Sequence, residues 1–199
     1  MSPADTPLNL DRILATAEEV IRRFGPAKAT VADVARALGV SHAAVYRHVA
    51  TKAELRGSVV SRWVEETMPP LRAIAALAGP APQRLRQLID TLITIKRHRA
   101  AEDPELFAAY RTLASDAESV VAAHVNELIT LIATIIRSGV DEGSFRAVDP
   151  VAAGRAVLFA TSKFHHPVHA AEWADPTIDA AYNDVWLLLM DGLCVASTK

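Results

Sequence analysis

Apolar residues recur at helical spacing along almost the whole chain, and this periodicity limits the possible folds more than any other feature. Between residues 10 and 24, leucine, isoleucine, alanine and valine fall three or four positions apart, which places them on one face of a helix. No stretch alternates apolar and polar residues long enough to predict a strand. The sequence therefore predicts an all-α protein.

Capping residues, glycines and prolines divide this pattern into separate helices. Thr30 and Ser41 are candidate N-caps, and Gly39 lies between them where a helix would end. The Pro69-Pro70 pair predicts the end of the helix that begins near residue 51. Asp-Pro pairs combine a capping side chain with a residue suited to the first helical turn. They predict helix starts at Asp103, Asp149 and Asp175.

Length and composition exclude several classes of protein. A chain of 199 residues holds one large domain or two small ones. Its one cysteine, Cys194, can form neither an internal disulfide nor a thiolate zinc site alone. The longest clean apolar run, around residues 131–136, is far short of the roughly 20 residues that span a bilayer. With no secretory signal at the N-terminus, we expect a cytoplasmic protein that does not span a membrane.

Charge is distributed unevenly along the chain. The net charge is -2, but residues 1–62 contain nine Lys or Arg and six Asp or Glu, whereas the remainder contains twelve and seventeen. A basic front part is compatible with a polyanionic partner. An imbalance of three charges also arises by chance, so this feature alone does not indicate nucleic-acid binding.

The most informative stretch is TVADVARALGVSHAAVYRHVATKAEL, residues 30–55. Two short helices would be joined by LGVS, in which Gly39 supplies a positive φ, Val40 fills the angle between the helices and Ser41 caps the second. This pattern predicts a helix-turn-helix. Judged by motif shape alone, an ordinary helical corner explains it equally well.

Over residues 10–63 the sequence resembles the DNA-binding domain of TetR-family (tetracycline-repressor-like) transcriptional regulators. The resemblance rests on the first helix, the Thr cap, the AxxLGVS turn, the Val-Tyr-Arg-His run and the following Thr-Lys-Ala-Glu-Leu, in that order. It implies a helix-turn-helix domain over residues 1–62 and a helical ligand-binding and dimerisation domain over residues 63–199. The implied function is that of a cofactor-free, ligand-responsive repressor of a double-stranded DNA operator.

The resemblance also implies which side chains contact DNA. The implied phosphate contacts are Thr30, Tyr46, His48 and Lys52, with the Ser41 hydroxyl at the edge of the recognition helix. The implied base-facing residues are His42, Ala43, Ala44 and Arg47. Tyr46 could instead be a half-buried core residue.

Two further sets of residues follow from the TetR-like C-terminal half. An apolar or aromatic pocket would favour a small hydrophobic inducer, although apolar helical faces are more often core than pocket. The candidate pocket residues are Trp63, Ile89, Ile93, Phe107, Tyr110, Val121, His124, Val125 and Leu128. The candidate homodimer residues, which could instead fill the monomer core, are Val157, Leu158, Thr161, Phe164, Tyr182, Val185, Trp186 and Leu189.

A histidine-rich segment provides the main alternative. His165, His166 and His169 could bind a transition metal, as in a helical metal-dependent enzyme, but Pro167 interrupts the helix that would align them. The paired Glu-x-x-His ligands of carboxylate-bridged bundles do not occur. A third possibility is a protein-interaction module whose helix-turn-helix is only structural.

Overall fold

The computed structural model describes residues 7–28 and 30–195, and it confirms the all-α prediction. Within these ranges there is no β-strand, and one isolated antiparallel bridge pairs Phe145 with Cys194. In the described part of the chain, 3-10 segments lie at Pro26–Lys28 and Pro167–Glu172. The α-helices are α1 (Leu10–Phe24), α2 (Val31–Leu38), α3 (His42–Tyr46), α4 (Lys52–Glu65), α5 (Met68–Ala76), α6 (Ala81–Glu102), α7 (Pro104–Ser115), α8 (Glu118–Asp141), α9 (Pro150–Ala160), α10 (Ser162–His165) and α11 (Ile178–Leu193).

The helices form two compact units. Of the described residues, the first contains 7–28, 30–65 and 103–122, and the second contains 66–102 and 123–195. This division differs from the predicted boundary between residues 62 and 63, because α7 packs against α1 and α4 rather than among the later helices. Periodicity reveals which face of a helix is apolar, but it does not reveal which distant helix will cover that face.

The first unit has its own apolar core. Ile13 of α1, Val34 of α2, Val45 of α3 and Leu55 of α4 are fully buried and meet Leu113 of α7 in one cluster. Two ion pairs also join α7 and the residues beside it to the N-terminal helices. Arg22 Nε donates to Asp103 Oδ2 at 2.7 Å, and Arg56 Nη1 donates to Asp116 Oδ2 at 2.9 Å.

The second unit is built around the long helices α6 and α8. Leu88 and Leu92 of α6 and Ile132 and Ile136 of α8 are fully buried in its core. Helix α8 is longer than the clean apolar run within it, and an 18-residue window of it has a mean hydropathy of 1.7, so by length and composition alone it could cross a membrane. Its buried isoleucines contribute to the protein core instead.

Two helix boundaries differ from the sequence prediction. Helix α4 ends at Glu65, and the Pro69-Pro70 pair lies in the first turn of α5, where a missing N–H costs no hydrogen bond. Asp103 and Asp149 cap helices as predicted. Asp175 instead accepts hydrogen bonds from Thr177 within a turn, and α11 begins only at Ile178.

Gly139 of α8 allows close packing in the second unit. A Cβ at this position would overlap the Phe145 ring and lie 2.8 Å from the Ala81 Cβ, and both of these neighbours are buried. We expect Gly139→Ala to destabilise the protein by about 1–3 kcal/mol, as is typical of an overpacked core. Urea unfolding measures this change. Gly57→Ala in α4, where a Cβ meets nothing within 4 Å, is the control. It should be neutral or stabilising, and equal destabilisation by both variants would contradict the packing argument.

Candidate nucleic-acid interface

The turn between α2 and α3 is fixed by local hydrogen bonds. Thr30 Oγ1 accepts from the backbone N–H of Asp33 at 3.1 Å and so caps α2. Gly39 ends α2 with a φ of 68° in the left-handed region, and the next N–H, that of Val40, donates to the Ala35 carbonyl at 3.0 Å. The predicted roles of Thr30 and Gly39 in local structure are therefore confirmed.

Helix α3 is short and is held by two valines. Ser41 Oγ accepts from the backbone N–H of Ala44 at 3.2 Å and caps it. The α-helical part ends at Tyr46, and hydrogen bonds to the Val45 carbonyl continue the turn to Val49. Val45 and Val49 are buried, so α3 and this extension turn their remaining side chains outward.

Most of the implied DNA contacts lie on an accessible surface. Tyr46 is 52% exposed, so the structure contradicts its alternative interpretation as a core residue. Ala44 is half-buried, and the half-buried Thr30 hydroxyl already caps α2. No Asp or Glu occurs between residues 34 and 53, which leaves Arg47 without a nearby sequence neighbour of opposite charge. The exposed candidates are Ser41, His42, Ala43, Tyr46, Arg47, His48 and Lys52.

A capping box holds the start of α4 beside this surface. Thr51 Oγ1 accepts from the backbone N–H of Glu54 at 3.0 Å. The Glu54 carboxylate reaches back to accept from the N–H of Ala50 at 2.6 Å. These two bonds fix the position of Lys52 at the first residue of the helix.

The structure separates the candidate pocket residues into two groups. Trp63 packs against Tyr110 and Phe107 in the first unit, with ring centroids 4.1 and 5.7 Å apart, and Val121 belongs to the same apolar cluster. The others lie in the second unit, where they are buried or partly buried: Ile89, Ile93, His124, Val125 and Leu128. The nine residues therefore do not form one site within either unit.

A groove in the second unit was missed by the sequence analysis. It has a volume of about 630 Å³ and lies between α6 and α11. The Arg86 guanidinium lies over the Tyr182 and Trp186 rings, 4.5 and 5.2 Å from their centroids, and donates to Asp90 at 2.9 Å. None of the candidate pocket residues lines this groove. The lining residues are Pro82, Gln83, Arg86, Gln87, Asp90, Thr91, Thr94, Ile95, Trp186, Met190 and Cys194.

Most of the candidate dimer residues belong to the core of the monomer. Val185 and Leu189 are partly exposed. The other six are buried within one chain: Val157, Leu158, Thr161, Phe164, Tyr182 and Trp186.

Three neighbouring apolar residues are exposed instead, namely Phe159 (56%), Leu187 (61%) and Leu188 (74%). The sequence signal for the two leucines is that residues 185–190 of α11 are apolar all round, which indicates a helix covered on two faces.

The histidine-rich segment has structural roles. His165 Nε2 lies 3.3 Å from Thr161 Oγ1, His166 Nδ1 accepts from the N–H of Val168, and His169 Nδ1 pairs with Glu172 at 2.8 Å. Within residues 7–28 and 30–195, no three His, Cys, Asp or Glu side chains are placed to hold a metal ion. The alternative of a metal-dependent enzyme is therefore not supported.

Known proteins share both the sequence pattern and the fold. The chain matches the family model for bacterial regulatory proteins of the tetR family over residues 13–59, and the tetracyclin repressor-like C-terminal domain over residues 81–186. SmeT, the repressor of the Stenotrophomonas maltophilia multidrug efflux pump SmeDEF, is 20% identical with a TM-score of 0.68, covering 97% of this chain and 94% of that one.

Two further structures are similar. The SmeT–triclosan complex is 18% identical with a TM-score of 0.69, covering 94% and 92% of the two chains. A TetR transcription regulator from Haloarcula marismortui is 20% identical with a TM-score of 0.71, covering 94% and 98%. No curated protein matches the chain in sequence.

The exposed cations of the helix-turn-helix yield a test of their separate roles. Lys52→Ala should weaken binding to every DNA duplex, because a phosphate contact carries no sequence information. It should also reduce the slope of log binding constant against log salt concentration by about one ion per contact. If Arg47 contacts a guanine, Arg47→Ala should reduce the binding free energy by about 1–3 kcal/mol, chiefly for the preferred sequence. Titration of specific and random duplexes over a salt series distinguishes the two effects. Arg137→Ala, an exposed cation of α8, is the control. Unchanged binding by Lys52→Ala would exclude the assigned phosphate contact.

Proposed function

The chain belongs to the TetR family of bacterial regulatory proteins, and from this premise we propose that it is a homodimeric repressor that a small, largely apolar molecule releases from its operator. Membership makes the chain a DNA-binding transcriptional regulator and not an enzyme. We further propose that it acts in the cytoplasm, where its operator would be accessible.

The proposal rests on the accessible surface formed by α3 and the turn that extends it. A short helix that is fixed by a left-handed glycine at one end and by Val45 and Val49 beneath it exposes His42, Arg47 and their neighbours to solvent. Residues at the start of such a helix reach base edges in the major groove, while cations and hydroxyls beside it contact phosphates. Selection of bound sequences from random DNA, followed by titration of the recovered site, tests sequence-specific binding.

A dimer is required for useful affinity, since one short recognition helix reads only a few base pairs. Two-fold repressors place their recognition helices about 34–36 Å apart, the spacing of successive major grooves. The exposed apolar side chains of α9 and α11, Phe159, Leu187 and Leu188, are the best candidates for the subunit contact. Val185 and Leu189, which are partly exposed on α11, would lie at its margin.

Leu188→Asp tests this contact without disturbing the monomer, because its side chain is largely exposed. A carboxylate there would lose its water on dimerisation without gaining a partner. We expect monomers that bind the operator at least about tenfold more weakly, because affinity over two half-sites is lost. Sedimentation and operator titration measure both effects. Leu77→Asp, at an exposed leucine after α5, is the matched control. A dimeric Leu188→Asp protein would place the contact elsewhere.

Release by a ligand requires that the ligand bind the DNA-incompetent arrangement more tightly. The similar SmeT protein has been seen in complex with triclosan, a small molecule. Support for an apolar inducer here comes from the composition of the second unit, whose buried side chains are mostly leucine and isoleucine. Ile89, Ile93 and Leu128 of that unit remain candidate contacts, whereas Trp63, Phe107 and Tyr110 form part of the first unit's packing.

A further inference from the structure

Lys96 of α6 is a buried cation without a partner. Its relative exposure is only 7%. Among residues 7–28 and 30–195, no side chain or carbonyl accepts a hydrogen bond from its ammonium group, and no carboxylate forms an ion pair with it. An ammonium group withdrawn from water is costly unless an opposite charge or several hydrogen bonds compensate it.

The neighbouring charges do not supply this compensation. Arg99, whose charge acts on Lys96, is paired with Glu66 at 2.9 Å, and Arg97 is paired with Asp179 at 2.7 Å. Burial, together with the repulsion of Arg99, lowers the pKa of Lys96 to about 8. The group therefore remains mostly protonated at neutral pH, and its positive charge is uncompensated.

The histidine-rich segment forms the other side of this location. Helix α6 packs against α10, which ends at His165, and against the 3-10 segment that follows it, which is capped by His166. Burial, with the charge of Lys96, lowers the pKa of His165 to about 3, so this imidazole is neutral. The Thr161 hydroxyl, which lies 3.3 Å from His165 Nε2, itself donates to the Val157 carbonyl at 2.9 Å. His165 is thereby held in place without adding a second charge.

We propose that Lys96 binds the carboxylate group of the effector, and that the segment carrying His165 and His166 covers that group. The proposal rests on the proposed ligand-responsive function and specifies its ligand class as an apolar monocarboxylate. One uncompensated positive charge is neutralised by a monoanion, whereas a phosphate dianion would leave a buried negative charge. Ile89, Leu92 and Ile93 lie at the preceding positions of the same face of α6 and are buried, so an apolar body would extend along them.

The test compares carboxylates with uncharged analogues of the same shape. The full-length protein is titrated calorimetrically with octanoate and octanamide, and with benzoate and benzamide. We expect the wild-type protein to bind at least one carboxylate more tightly than its amide. Lys96→Met keeps the length and apolar stem of the side chain and removes the charge. It should raise the Kd for that carboxylate by about thirtyfold or more and leave the Kd for the amide unchanged, as for a truncated partner of a buried charge pair.

Lys163→Met is the matched control, because Lys163 lies on α10, its side chain is 51% exposed, and it pairs with Glu172. It removes the same charge at the surface and should leave carboxylate binding unchanged. The inference is overturned if the wild type does not prefer either carboxylate over its amide, or if Lys96→Met retains the preference. Because Lys96→Met removes a buried charge, the variant should unfold at the same temperature as the wild type or higher. That result would exclude misfolding as the cause of lost binding. Operator titration without carboxylate tests the proposed DNA-binding function separately.

Discussion

The packing of α3 on α2 is the constraint on which the DNA-binding surface depends. A helix of five residues is far below the length at which an isolated helix is stable in water, so α3 exists only because the fold holds it. Gly39 sets the angle at which the chain leaves α2, and Val45 fixes the rotation of α3 about its own axis. The orientation of Arg47 and His48 toward solvent follows from these two residues. Local backbone geometry thus determines which side chains can reach DNA.

Features encoded by neighbouring residues were readable from the sequence. The bounds of α1 and α2, the caps at Thr30, Ser41 and Asp103, and the helix-turn-helix itself depend on residues within a few positions of one another. The predicted all-α class and family were confirmed for the same reason. The assigned DNA contacts stay predictions, although their exposure agrees with them.

Features that depend on distant residues were not readable. Nothing in the periodicity of α7 indicated that Phe107 and Tyr110 would pack on Trp63, and these rings were therefore assigned to a pocket. Similarly, Tyr182 and Trp186 were placed at a dimer contact because they are large and apolar, yet they are buried within the monomer. Apolarity identifies residues that must be covered. It does not distinguish coverage by the same chain from coverage by a second subunit or a ligand.

The return of residues 103–122 to the first unit affects how the chain can fold during synthesis. Leu106, Tyr110 and Leu113 are part of the core that also contains Ile13 and Val45. The N-terminal helices leave the ribosome first, but this core cannot close until α7 has followed them. The whole of α6 is made in between. A fragment that ended after α4 would expose the apolar surface that α7 normally covers. Arg22 would lose Asp103 and Arg56 would lose Asp116. The helix-turn-helix is thus contiguous in sequence, whereas the unit that stabilises it is not.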